Sequence, residues 1–293
     1  MEILTPKDVK YYYKFVEDLA LKRIAAEKDR LAKDLPPDRE DLFHFLLSAK
    51  DPDTNQPAYS TLDLIAESHL LIVAGADSSS VTLCALFFYL TRNPRVLLKL
   101  EQEIRSTFSS VEEIFHGPKL ASCKYLRAVI DESLRMCPAG PSELSRVVLP
   151  GGAIIDGSFY PEGTHVGTAG WAYNHCEALY GDAYTFRPER WIPSSDLSTL
   201  NTDQDILKLK RGFHPFSQGP GNCAGMRIAV LQLSLVVART VWRMEVRGLE
   251  GERLGEGGEE RGWGERDERV FLVRDKYVTV REGPVVQFRR REV

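Results

Sequence analysis

The 293-residue chain has no uninterrupted apolar run of about 18 residues, the length a helix needs to cross a bilayer, so neither an anchor nor a signal segment is expected. Cations are not in excess: the net charge is −4, which gives no field for nucleic acid. Cysteine is scarce and odd in number. The five residues, at 84, 123, 137, 176 and 223, lack the paired spacing of a zinc finger. That usage fits a reducing compartment. Cys84, Cys123 and Cys137 stand in apolar helical contexts and are expected as core thiols. No internal repeat is present, and the length suffices for the core of one globular domain over residues 1–293.

What the chain does have is a glycine-rich loop around its last cysteine, Phe216-Ser-Gln-Gly219-Pro-Gly221-Asn-Cys223-Ala-Gly225, directly ahead of an apolar helix-like run from Met226 to Val237. A thiol at the amide end of a helix is biased toward thiolate by the dipole. The flanking glycines allow the backbone to curl around sulfur and a flat ligand to come close. A thiolate so held is a good metal ligand, although a single cysteine near a helix start is more often a plain buried thiol.

Three further segments bear on that choice. In Tyr125 to Pro138, Leu126, Val129, Ile130 and Leu134 fall at helical spacing and Pro138 stops the helix, predicted over 121–137. Glu132 and Arg135 share one face of it, as an ordinary surface ion pair would. The segment Phe186-Arg-Pro188-Glu-Arg190-Trp191 is, by itself, a proline-led turn with solvated charges. Residues 62–90 predict one long apolar helix. Its centre, Ala74-Gly75-Ala76-Asp77-Ser78-Ser79-Ser80, brings in an acid and three hydroxyls that can bond back to carbonyls. A small packing residue with solvated Ser and Asp is the plain alternative.

Taken together and in this order, these motifs resemble the cytochrome P-450 family, the haem-thiolate monooxygenases, over most of the chain from about Leu62 to Phe288. The fold so implied is mainly α with small β-sheets. Residues 62–90 resemble helix I, 121–137 helix K, 186–191 the meander and 213–225 the haem-binding cysteine loop. The resemblance implies Cys223 as axial ligand of the iron of haem b, with Phe216, Gly219 and Gly225 shaping the loop. It implies Arg146 on a haem propionate and a buried Glu132–Arg135–Arg190 network that pins the loop. It implies Asp77 and Ser78 as the proton relay on the distal side. Electrons would come from NADPH through a reductase, and Lys208, Lys210, Arg211 and Arg227 are candidates to dock that acidic partner. The substrate implied is a small apolar organic molecule, in secondary metabolism or xenobiotic oxidation.

The sequence departs from the family at two positions. Serine stands at 78 where threonine is usual, so the hydroxyl stays and the methyl that restricts it is lost. Glycine stands at 221 where an arginine or histidine usually meets a propionate. The chain is also shorter than the family's, which leads to the expectation of a truncated member lacking the part ahead of helix I. Membrane association, at the endoplasmic reticulum, would then rest on that missing part, and this chain would be cytosolic. A non-catalytic remnant that binds haem weakly is the alternative.

Elsewhere, helices are expected over Lys10–Ala32 and Asp41–Ser48, with a loop from Asp34 to the helix start at Asp41. Two short strands joined by turns are expected in Gly151–Val166, and strands at Val270–Val273 and Tyr277–Val280, while Arg281–Phe288 resembles the family's last strands. Gly248–Glu268, rich in Gly, Glu and Arg, predicts an exposed loop, and Arg289–Val293 a solvated tail.

Overall fold

The computed structural model describes residues 6–37, 39–194, 201–262, 266–276 and 278–292. Asp38, residues 263–265, Tyr277 and Val293, which belong to segments anticipated above, lie outside the described residues. The chain divides into two compact units, Met1–Ala76 and Asp77–Val293.

The first unit holds α1 (Lys7–Ala32), α2 (Leu42–Ser48) and the first half of α3 (Thr61–Arg92). Val16, Ala20 and Ile24 are buried at four-residue spacing along α1. Asp41 starts α2 by accepting the amide N–H of His44 at 2.9 Å. Beside them the Glu27 carboxylate, 4% exposed, takes bonds from Arg23 and Arg30 and faces His44 Nδ1. The hydrogen bonds from Arg30 and Arg23 outweigh burial and hold its pKa down at about 2.

In the second unit the back half of α3 packs with α4 (Pro94–Thr107), α6 (Lys124–Met136) and α10 (Met226–Arg243). Val81, Ala85, Leu86, Phe88, Tyr89 and Leu90 of α3 are all buried. Among the described residues α3 is the one helix long and apolar enough to cross a membrane, by length and composition alone. Proline at the first turn opens α4, which buries Val96, Leu100 and Ile104. Residue 121 closes a separate turn, α5 (Pro118–Ala121), and the helix predicted from 121 begins at Lys124.

Four small antiparallel pairs complete the unit. β2 (Ala153–Ile155) and β3 (Ser158–Tyr160) form a hairpin with Ile154 opposite Phe159. A second pair flanks it, β1 (Arg146–Val147) with β4 (His165–Val166), so Gly151–Val166 holds three strands and not two, with β1 just ahead of it. Short helices α7 (Gly170–Asn174) and α8 (Glu177–Tyr180) follow, then a 3-10 turn at Pro188–Trp191, α9 (Asp203–Gly212), and a second 3-10 turn at Gly219–Gly221. Thr202 and Asp205 build a capping box at the start of α9.

After α10, β5 (Met244–Gly248) pairs with β8 (Val286–Arg290), and β6 (Val273–Lys276) pairs with β7 (Val278–Arg281). The strand expected at Val270–Val273 therefore starts only at Val273. Two further readings are corrected here. Gly255, Gly257 and Gly258 of the expected exposed loop are buried, and Glu256 pairs with Arg92 and Arg253. The expected tail is solvated at Arg289 and Arg290, which are exposed, but it is also paired: both lie in β8, and Arg291 pairs with Glu101. Of the expected core thiols, Cys123 and Cys137 are buried and Cys84 is half-buried. Burial pushes the Cys137 thiol up to about 12.

Candidate functional site

The centre of the second unit is one carboxylate. Glu132 lies on α6, a helix buried on nearly every side, so its charge must be met within the protein. Arg135, one turn further, donates from Nη2 to Oε1 at 2.9 Å and from Nε to Oε2 at 3.0 Å. Arg190 donates from Nε to Oε1 at 3.0 Å. The backbone N–H of Arg187 reaches Oε1 at 3.0 Å, and the indole N–H of Trp191 reaches Oε2 at 2.9 Å. Glu132 and Arg135 are 0% exposed. Burial alone would raise the Glu132 pKa, but the charges of Arg135 and Arg190 bring it below the ordinary range.

The arginines use their other donors on backbone. Arg135 Nη1 donates to the carbonyls of Asn174, at 2.7 Å, and Ala183, at 2.8 Å. Arg190 donates to the carbonyls of Tyr180, at 2.6 Å, and Thr185, at 3.2 Å. The cluster thereby fixes the path of residues 174–191 against α6. Phe186 adds a stack on Tyr89 of α3, with ring centres 4.7 Å apart. The structure thus brings Glu132, Arg135 and Arg190 together. Trp191 is the member that reading the sequence overlooked, although it stands next to Arg190 and a buried carboxylate needs more donors than two arginines supply.

The cysteine loop runs between α9 and α10. Phe216 packs against the hydrophobic core and anchors its start. Ser217, at φ 60°, and Gly219, at φ 72°, turn the backbone in the left-handed region. The chain then curls back, and Cys223 N–H donates to the Phe216 carbonyl at 2.8 Å. The Cys223 carbonyl accepts from Met226 N–H at 3.3 Å, which places the thiol just ahead of α10, whose N-cap is Gly225. The thiol is free and exposed. A Cβ at Gly225 would stand 3.8 Å from its sulfur.

Arg146 is exposed on β1 and donates from Nη1 to the Leu144 carbonyl at 3.0 Å and the Ser145 carbonyl at 3.1 Å. Its Nη2 is 3.6 Å from where a Cβ at Gly221 would be. Asp77 is exposed and Ser78 half-buried on α3. The helix stays regular through them. Ser80 Oγ bonds back to the Asp77 carbonyl, and Thr82 Oγ1 to the Ser78 carbonyl, each at 2.9 Å. The donor set suits haem: an exposed thiol can ligate iron, the glycines leave room for a flat macrocycle, and a guanidinium stands ready for a carboxylate.

Comparison with known proteins places the chain in a family. The sequence profile of the family Cytochrome P-450 matches residues 4–254. The chain is 40% identical over 256 residues to the cytochrome P-450 monooxygenase apf7 of Gibberella fujikuroi, covering 86% of this chain and 46% of that protein. It is 34% identical over 287 residues to the cytochrome P-450 monooxygenase fscF of Fusarium equiseti, covering 97% of this chain and 52% of that protein. With the cytochrome P-450 monooxygenase lcsN of Purpureocillium lilacinum it shares 35% identity over 279 residues, 94% of this chain and 77% of that protein. The chain belongs to the cytochrome P-450 family. It spans about half the length of the first two relatives, 46% and 52%.

Proposed function

We propose that this chain carries the haem-thiolate centre of a monooxygenase that inserts one oxygen atom of O2 into a small apolar organic substrate. The observation behind it is the free, exposed Cys223 thiol, held at the head of α10 by a loop that curls back onto Phe216. Cys223, as thiolate, ligates the iron of haem b. Arg146 meets a propionate, while Phe216, Gly219 and Gly225 shape the seat. When bound, the haem supplies the oxygen-activating chemistry, and the protein's part is to hold, orient and protect it. Glu132, Arg135 and Arg190 act at one remove, by fixing the segment that leads to the loop. Ser78 and Asp77 move protons toward the reacting oxygen.

Electrons come from NADPH through a reductase, which docks on Lys208, Lys210, Arg211 and Arg227. Oxidation of a secondary metabolite fits this chemistry. Attachment to the cytosolic face of the endoplasmic reticulum is part of the same reading.

A second reading, a remnant of the same fold that binds haem weakly, is favoured by one observation: Leu70, Leu71, Ile72 and Val73, successive on α3, are 39–59% exposed. The carbon-monoxide difference spectrum of the reduced, haem-supplemented chain decides between the two. A strongly red-shifted Soret band, lost in Cys223→Ala, supports thiolate ligation. A band at the position of free or histidine-bound haem, or none, supports the remnant.

A further inference from the structure

We propose that Arg281 is a positioning residue for proton delivery: from β7 it locks the Ser80 hydroxyl onto the peptide unit that joins Asp77 to Ser78. The inference rests on the haem reading above, in which those two residues move protons, and it adds the residue that holds them.

The chain of contacts is short. Arg281 Nη2 donates to Ser80 Oγ at 2.7 Å, across 201 residues of sequence. Ser80 Oγ donates in turn to the Asp77 carbonyl at 2.9 Å. A hydroxyl has one proton and two lone pairs. A guanidinium N–H on one lone pair turns the proton away from Arg281 and toward Asp77. That carbonyl belongs to the peptide bond between Asp77 and Ser78. The next peptide unit, between Ser78 and Ser79, is held in the same way by Thr82 Oγ1, at 2.9 Å. Of these two hydroxyls, that of Ser80 is the one gripped from another element.

Arg281 reaches α3 from a fixed base. Thr279 and Arg281 alternate along β7, so their side chains leave the same face of the strand. Thr279, 2% exposed, donates from Oγ1 to the Pro138 carbonyl at 2.8 Å and from its N–H to the Ala139 carbonyl at 3.0 Å. The strand is thereby moored to the segment that follows α6. Arg281 is half-buried, and among the described residues no carboxylate pairs with it. Its charge cannot be shed, and directed at a hydroxyl it polarises the O–H and strengthens the bond that the O–H makes. Without it the Ser80 hydroxyl rotates freely, and the turn that aims Asp77 and Ser78 loosens.

The first test is made on the full chain without haem. Amide hydrogen exchange is followed across residues 78–82 for the unsubstituted protein, Arg281→Met, Ser80→Ala and the double variant. Methionine keeps most of the arginine stem and removes the donor; circular dichroism checks the fold. Arg281→Met should speed exchange in this turn roughly tenfold, the equivalent of one charge-assisted bond. In the Ser80→Ala background the same substitution should change nothing there, because both changes break one chain. Unchanged exchange, an effect of equal size without Ser80, or faster exchange confined to β6 and β7 would each overturn the lock.

The second test reads proton delivery in the haem-loaded chain, with an NADPH-dependent reductase and naphthalene as the apolar probe. Arg281→Met should raise the peroxide released per NADPH consumed roughly twofold or more, a small part of what a misplaced proton donor can cost. Arg281→Lys should return it to the starting level, since one ammonium suffices for one hydroxyl. A yield indifferent to Arg281→Met overturns the role, and so does a rise that lysine fails to reverse, because lost packing then explains it. The carbon-monoxide difference spectrum reports separately on the haem reading. Without a thiolate-type band that reading fails and the role in proton delivery with it, while the exchange measurements still judge the lock.

Discussion

Arg190 reaches back to lay its Nε 3.0 Å from Glu132 Oε1, across 58 residues of sequence, where neither side chain is more than 1% exposed. The contact is the closing link of a charge cluster in which one carboxylate faces two guanidinium groups. Such a cluster stabilises a fold only while every member is present, because desolvation has already been incurred for each. Here every part of the carboxylate is used, and the arginines spend their spare donors on the carbonyls of Asn174, Tyr180, Ala183 and Thr185. The cluster therefore acts as the clamp that sets the segment leading into the cysteine loop.

Glu132→Gln keeps the shape and removes the charge. Two buried guanidinium groups then face a neutral amide, and the loss of stability should be about 3–5 kcal/mol. Chemical unfolding of the two proteins, monitored by circular dichroism, measures it. An unchanged midpoint would show that the charges are already screened. Arg190→Lys should also destabilise, since a single ammonium cannot serve the carbonyls of Tyr180 and Thr185 and Glu132 together.

A second clamp holds the other end of α6. Its N-cap residue, Cys123, makes no side-chain cap. The Glu103 carboxylate, from α4, instead accepts the backbone N–H groups of Tyr125 and Leu126, both at 2.8 Å. A carboxylate there satisfies two orphan donors and complements the helix dipole. Glu103→Ala should cost about 1–2 kcal/mol. Amide hydrogen exchange at the first turn of α6 should rise with it; exchange confined to α4 would contradict the assignment.

The contrast between these two clamps marks what reading the sequence can reach. Glu132 and Arg135 were legible through the family resemblance alone, since by themselves an i, i+3 pair and a downstream Pro-Glu-Arg segment read as solvated charges. Glu103 was not, since nothing in the helix it caps points to a carboxylate on a neighbouring helix. The glycine-rich stretch after β5 misled for a related reason. Composition reads glycine as freedom, but a Cβ at Gly255 would stand 2.7 Å from the Phe271 ring and 2.8 Å from the Glu282 carbonyl. Glycine is used there for close approach. Arg291 likewise reads as a free tail until β8 carries it to Glu101.

His175 gives the fold a pH dependence. It is 5% exposed, stacks on Trp171 with ring centres 4.1 Å apart, and donates from Nδ1 to the Trp171 carbonyl. Among the described residues its Nε2 is buried without a partner. Burial, aided by the Arg135 charge, lowers its pKa to about 4. The unfolded chain, titrating near the ordinary 6.5, therefore binds the proton more readily than the folded one. Stability from this group is full above pH 6.5, falls as pH drops toward 4, and changes no further below, with an upper bound of about 3 kcal/mol. Carboxylates such as Glu27 act in the same direction at lower pH, so the comparison must be with His175→Asn. The variant should lose less stability than the unsubstituted protein between pH 7 and pH 4.5; identical losses would remove His175 from the account.

The serine at 78 leads to the last prediction, which rests on the haem reading. Thr82 Oγ1 bonds back to the Ser78 carbonyl at 2.9 Å, so this turn of α3 already carries one hydroxyl bent onto the ladder. The Ser78 hydroxyl sits on an unbranched carbon and samples more rotamers than a threonine would. If it delivers a proton, time spent in the wrong rotamer diverts reducing equivalents to free peroxide. Ser78→Thr should then lower the peroxide released per NADPH consumed, while Ser78→Ala should raise it. The unfolding free energy should change by less than about 1 kcal/mol in either case, since the position is half-buried and the change small. Peroxide yield that is indifferent to both substitutions would mean that protons reach the reacting oxygen by another route, through Asp77 or solvent.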